Sequence, residues 1–208
     1  MSPATNSSPT SSTTSASLLA GMAARDDETW MRFLQVYGPL VYEWIGRAEV
    51  NPSAVDDIAQ DIFTAVATSF NNYQHDAKRS GSLRRWMWGI AKNKIADWQR
   101  KDAQQVKAGG GLSFFRLINQ LPDVPFEDSD PGSQHKTRMQ LAARALAILQ
   151  TDFAPPTWQA FWRSVIDGEK TSEIAESLNM TAVAVRQSRF RVLRRLREEL
   201  GEDLPSTL

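Results

Sequence analysis

The sequence predicts an all-α protein of two small helical domains joined by a flexible linker. Three observations predict it. Apolar residues recur at three- and four-residue spacing in stretch after stretch. No stretch alternates convincingly as a half-buried strand does. Between two such groups, residues 102–134 carry Gly109-Gly110-Gly111, three prolines and an acidic cluster, which is a connector's composition. The expected divisions are a tail over 1–24, an N-terminal domain over 25–101, the linker over 102–134 and a C-terminal domain over 135–201.

Residues 1–17 are mostly Ser and Thr, with no charge before Arg25. Such a segment buries too little apolar surface to offset its ordering entropy and is expected to be disordered. A first helix starts near Asp26 and carries Trp30, Phe33, Leu34, Tyr37, Leu40, Val41 and Trp44 on one side, with Gly38-Pro39 as a point of kinking. Asn51-Pro52-Ser53 opens a second helix, whose apolar face is Val55, Ile58, Ala59, Ile62, Phe63, Val66 and Phe70. Asp56, Asp57, Gln60 and Asp61 fall largely on its other side. A loop is expected over Asn71–Ser82. A third helix from Leu83 points Trp86, Met87, Ile90, Ala91 and Ile95 inward and leaves Trp88, Lys92, Lys94, Arg100 and Lys101 for the surface.

Within the linker, Leu112–Ile118 is apolar and fits either a short helix or a docking segment. A helix over Gln134–Gln150 and another from Pro155-Pro156 follow, and they supply a core for the last two elements. Those two elements, Asp167 to Leu200, form a helix-turn-helix. Thr171 is the expected N-cap of the short helix and Thr181 that of the long one, with Gly201 as its stop. Ala182, Val185, Val192, Leu193, Leu196 and Leu200 share the inward side of the long helix. Val183, Arg186, Gln187, Phe190, Arg191 and Arg194 lie opposite. Arg and Gln suit guanine and adenine edges, and Phe suits a thymine methyl. Arg189 falls awkwardly on the packing side.

Composition narrows the function. The 208 residues, 41% of them apolar, can bury a core. With no cysteine, a disulfide framework and thiolate metal sites are excluded, and a reducing cytoplasm fits. No apolar run approaches the ~20 residues that span a bilayer, and Leu18–Ala24, with no basic residue before it, makes a poor signal peptide. Net charge is zero, yet the charges are segregated. Lys78–Lys101 holds eight basic residues against one acid and Arg186–Arg197 six against none, while acids gather at Asp26–Glu28, Asp56–Asp61 and Asp123–Asp130. Two basic helices suit phosphate partners. His75 and His135 are the two histidines, and no nucleophile–base spacing or phosphate-binding glycine motif accompanies them, so no catalysis, metal or cofactor is expected.

Two stretches resemble one family. LRRWMWGIAKNKIADWQRK (83–101), preceded by AVDDIAQDIFTAV (54–66), is similar to region two of bacterial RNA polymerase sigma factors of the extracytoplasmic-function (ECF) group. TWQAFWRSVIDGEKTSEIAESLNMTAVAVRQSRFRVLRRLREEL (157–200) is similar to region four of the same group. The resemblance implies that the first domain is a three-helix bundle and the second a promoter-reading helix-turn-helix. It implies core RNA polymerase as partner, through its β′ coiled coil and β flap, together with promoter DNA and, as a candidate, an anti-sigma factor. No membrane insertion is implied.

Residue by residue, Asp57, Gln60, Asp61 and Phe63, with Asp56 beside them, match the polymerase-holding positions. Arg84, Arg85, Trp88, Lys92, Asn93 and Lys94 match the part that opens and reads the minus-ten element, with Lys78 and Arg79 as further phosphate contacts. Trp86 is assigned to the core, Trp88 to the surface as the stacking platform, and Tyr73 is open between the two. Arg186, Gln187, Phe190, Arg191 and Arg194 match the minus-thirty-five reader. The order of basic residues there departs from the commonest family pattern, so the resemblance implies no particular promoter sequence. A 33-residue coil averages about 30 Å end to end and extends to about 110 Å, enough to span two promoter elements only when a larger machine spreads the domains. The competing reading is a helix-turn-helix regulator that works without polymerase, usually as a dimer.

Overall fold

The computed structural model describes residues 21–22, 24, 26–80, 82–106, 121–123 and 125–208, of which 71–72, 74–80 and 103–106 are described by backbone alone. The helices are α1 (Asp27–Arg47), α2 (Val55–Ser80), α3 (Leu83–Val106), α4 (Pro131–Leu149), α5 (Pro155–Val165), α6 (Thr171–Ser177) and α7 (Ala182–Leu200). Short 3-10 turns occupy Pro52–Ala54, Phe126–Ser129, Gln150–Asp152 and Gly201–Asp203, and no strand occurs among the described residues. The all-α expectation holds. The Ser/Thr-rich 1–20 and Leu112–Ile118 lie outside the described residues.

Local chemistry explains the boundaries. Asp26 caps α1 by accepting the Thr29 N–H at 2.9 Å, and Asp27 and Glu28 occupy the first turn, where acids oppose the positive helix end. Asn51 caps the Pro52–Ala54 turn that leads into α2. Asp130 caps α4 through the Ser133 N–H at 2.8 Å, with Pro131 at the first helical position, so α4 starts three residues before the expected Gln134. The expected loop Asn71–Ser82 is instead helical to Ser80, and α2 turns into α3 within two residues. Tyr73 anchors that extension by packing on Phe70 and Trp86, with ring centroids 5.9 and 4.9 Å away.

Helices α1, α2 and α3 form one bundle, and α4, α5, α6 and α7 form another. Their interiors merge. A single core runs from Phe33, Trp44, Ile62, Met87 and Trp88 into Leu141, Leu149, Phe161, Leu196 and Leu200. Met22, expected in the disordered tail, is buried within it. The bundles are also joined by ions: Arg32 of α1 pairs with Asp152 at 2.9 Å and with Glu199 of α7 at 3.6 Å. A separate small cluster of Ala160, Ile174 and Val185 ties α5, α6 and α7 together.

Candidate nucleic-acid interface

Helix α7 presents the outward face the sequence predicted. Its position is set from below by Val185, Val192, Leu193, Leu196 and Leu200, all buried, and at its start by Thr181, whose Oγ1 accepts the Ala184 N–H at 3.0 Å. The preceding turn is built by Asn179 at φ 50°, a left-handed conformation that Asn tolerates better than most residues, and by the Met180 N–H donating to the Ala175 carbonyl at 2.8 Å. Lys170 rather than Thr171 is the N-cap of α6, and it offers no side-chain bond; Thr171 is the first helical residue. Arg163 of α5 braces the unit with a two-pronged ion pair to Glu169 and a hydrogen bond to Ser177.

On the resulting surface Arg186, Gln187, Phe190, Arg191 and Arg194 are all exposed, Phe190 at 62%. Val183, Arg186, Gln187, Phe190 and Arg191 line a shallow depression of about 310 Å³. An uncovered aromatic ring of that size among arginines is unusual on a surface that meets only water. Among the described residues neither Arg186 nor Arg191 has an ion-pair partner, whereas Arg194 is held by Glu198 at 3.1 Å. Arg189 is exposed and Ser188 buried, so the packing stripe is rotated by about one residue from the expected phase.

Helix α3 departs further from expectation. Trp88, assigned to the surface, is 1% exposed: its ring meets Trp44 at 5.3 Å and Phe126 at 5.0 Å, and its Nε1 donates to the Pro122 carbonyl at 3.0 Å. Trp86, assigned to the core, is half-buried, and Tyr73 is buried against it; burial pushes the Tyr73 phenol up to about 12. The reason is that α3 is covered on two sides, by α1 and α2 and again by the connector. The inward stripe therefore runs Arg84, Met87–Trp88, Ala91 and Ile95.

Arg84 is likewise 1% exposed. Its guanidinium contacts Glu127 at 2.8 Å, Asp128 at 2.7 Å and Asp203 at 3.2 Å. Burial lowers its pKa, but the three carboxylates outweigh burial and raise it above the ordinary value. Asp203, wholly buried, moves up because burial outweighs the opposing pull of Arg84. Arg85 is exposed yet pairs with Asp128 at 3.2 Å, and Lys92 pairs with Asp123 at 2.7 Å. Asn93 is exposed and Lys94 half-buried. Lys78 and Arg79 fall where only the backbone is described.

The acidic face of α2 is laid out as expected. Asp56, Asp57, Gln60 and Asp61 are exposed, and Phe63 is half-buried, edge-on to Phe33 at 6.4 Å. Phe63, Trp30, Leu34, Tyr42, Ala59 and Gln60 line a groove between α1 and α2 of about 530 Å³. Tyr42 closes one end by donating to Asp56 Oδ1 at 3.2 Å; burial, then that hydrogen bond, raise its pKa.

Residues 33–105, which span α1, α2 and α3, match the family model for sigma-70 region 2. Sequence relatives extend the likeness to most of the chain. ECF RNA polymerase sigma factors named SigD, from Mycobacterium bovis and Mycobacterium tuberculosis, are 25% identical over 187 residues, covering 88% of this chain and 82% of theirs. The chain is similar to ECF sigma factors over most of its length. That likeness supports a sigma factor that directs promoter recognition and transcription initiation, and it does not favour the polymerase-independent regulator. No helix among the described residues is long and apolar enough to cross a membrane.

Proposed function

We propose that this chain acts as an ECF sigma factor, with a division of labour along its helices. In it, α7 reads the minus-thirty-five element as duplex DNA through Arg186, Gln187, Phe190, Arg191 and Arg194. Helix α3 serves the minus-ten element and its opening through Arg85, Lys92, Asn93 and Lys94, with Arg84 and Trp88 buried beneath that face. The outer face of α2, Asp56, Asp57, Gln60, Asp61 and Phe63, receives the β′ coiled coil of core RNA polymerase, and the second bundle meets the β flap. An anti-sigma factor is a further partner, and the site of action is the cytoplasm. The polymerase supplies the chemistry; the sigma factor supplies position.

The observation that carries this reading is the α7 surface. A helix held by a buried stripe and a capped turn offers Arg186 and Arg191, which have no carboxylate partner among the described residues, beside an exposed Phe190. Unpaired guanidinium groups need no internal ion pair broken before they meet phosphate or guanine. Arg191→Ala and Arg194→Ala are each expected to weaken minus-thirty-five binding by the reconstituted holoenzyme by about 1–3 kcal/mol if they read bases. Footprinting on promoter and scrambled DNA checks it, and wild-type affinity in both variants would remove α7 as the reader.

For the polymerase face, a groove with an apolar floor and an acidic rim suits a basic amphipathic helix, with charge setting approach and register. Asp57→Lys and Asp61→Lys are expected to abolish core polymerase association in a size-exclusion assay while far-ultraviolet circular dichroism stays unchanged. Both side chains are exposed, so the fold has no stake in them. Normal association by both variants would make this an ordinary solvated face.

A further inference from the structure

The two bundles do more than touch. Asp203 follows α7, Glu127 and Asp128 lie in the connector, and all three converge on Arg84 at the start of α3. Asp203 also accepts the Arg84 backbone N–H at 3.2 Å, and Glu127 accepts the Trp44 Nε1–H at 3.0 Å. The same connector places Asp123 on Lys92 and Asp128 on Arg85. Leu204 and Leu208 of the C-terminal tail pack on the common core. Carboxylates thus occupy Arg84, Arg85 and Lys92 of α3, where nucleic-acid phosphate would sit, and Phe126 packs on Trp88 with ring centroids 5.0 Å apart.

This arrangement conflicts with promoter binding on distance alone. The minus-ten and minus-thirty-five elements lie about two helical turns apart, roughly 70 Å. Helices α1 and α7, by contrast, are within reach of a single ion pair, Arg32 to Glu199 at 3.6 Å. The bundles must part before both elements are read.

We infer that the connector acids and the C-terminal tail Gly201–Leu208 form an intramolecular latch, centred on Arg84, that closes the sigma factor off polymerase and competes with DNA for α3. The latch suits reversible use. One buried arginine faces three carboxylates, so the cluster carries more negative charge than it neutralises. A buried ion cluster of that kind specifies a geometry more than it stabilises it. Polymerase, by binding only the parted form, shifts the population toward it. The consequence for DNA rests on the sigma-factor reading; the latch itself does not.

The chain contains no cysteine, so paired labels can be placed cleanly. Gln35→Cys on α1 and Ser172→Cys on α6 are both exposed positions. Single-molecule energy transfer between dyes at these sites reports closure in the full chain. Wild type is expected to show one short-distance population. Asp203→Arg, which sets like charge against Arg84, and a chain ending at Gly201 are each expected to shift the open-to-closed ratio by about tenfold or more, with helical circular dichroism retained. The same variants are expected to bind a single-stranded minus-ten oligonucleotide more tightly than wild type. An already open wild type, or distances unchanged in both variants, overturns the latch. A wild-type chain that closes yet fails to direct initiation with core polymerase would count against the sigma-factor reading alone.

Discussion

Trp88→Ala is expected to lower the unfolding free energy by about 3–5 kcal/mol, read as a fall in the urea midpoint. The ring is 1% exposed and lies between Trp44 and Phe126, so its removal opens a cavity shared by α1, α3 and the connector. It also removes the donor to the Pro122 carbonyl, leaving that oxygen without its indole partner. A tryptophan serving only as a surface platform for bases would behave otherwise, because exposed substitutions usually stay within ±0.5 kcal/mol. Trp86→Ala makes the useful comparison: its half-buried ring packs on Phe70 and Tyr73 and is expected to cost less. A Trp88→Ala chain with an unchanged midpoint would return this ring to the surface.

Trp88 also marks the limit of what local periodicity encodes. In α7 the apolar period was legible because that helix is covered on one side, and Val185, Val192, Leu196 and Leu200 are buried as expected. Helix α3 has an apolar period that implies one covered side, yet it is covered on two. The second cover, Pro122 to Asp128, reads as linker from its prolines and acids, and no local period discloses a partner more than 30 residues away. The extension of α2 through Asn71–Ser80 was equally hidden. Asn, His and Asp have weak helix preference, and among the described side chains the ring contacts of Tyr73 reveal the anchor.

Asp203 was missed altogether, lying after the expected stop at Gly201. One signal was available. Acids at 123–130 and bases at 78–101 are complementary blocks within a chain of zero net charge. Read as two partners rather than as two solvated surfaces, they point to each other. The acidic face of α2 and the basic face of α7 stayed legible for the opposite reason: none of the described residues covers them, so exposure follows from the helical period alone.

Arg84→Ala is the second large effect expected, about 3–5 kcal/mol, and it differs from Trp88→Ala in kind. No large apolar cavity explains it. The loss comes from leaving Glu127, Asp128 and Asp203 facing one another, each within hydrogen-bonding distance of the vanished guanidinium. Arg84→Lys is expected to recover little, since an ammonium cannot present three directed N–H groups in the guanidinium plane. Acidification separates this cause from a packing loss. Burial already holds the Asp203 carboxyl above its ordinary value against the pull of Arg84, and without the guanidinium burial is opposed by only the Ser82 hydroxyl and the backbone N–H of residue 84. The folded variant then binds protons more readily than its unfolded chain, so its stability rises as pH falls through the elevated folded pKa toward the ordinary carboxylate range. The deficit relative to wild type should therefore be greatest near neutrality and shrink on the acid side, whereas a cavity would give the same deficit at both. Arg84→Ala combined with Asp203→Ala should cost less than the sum of the single changes by about 1–3 kcal/mol. Strict additivity in that cycle, together with a pH-independent deficit, would mean that Arg84 is only a space-filling side chain in this interface.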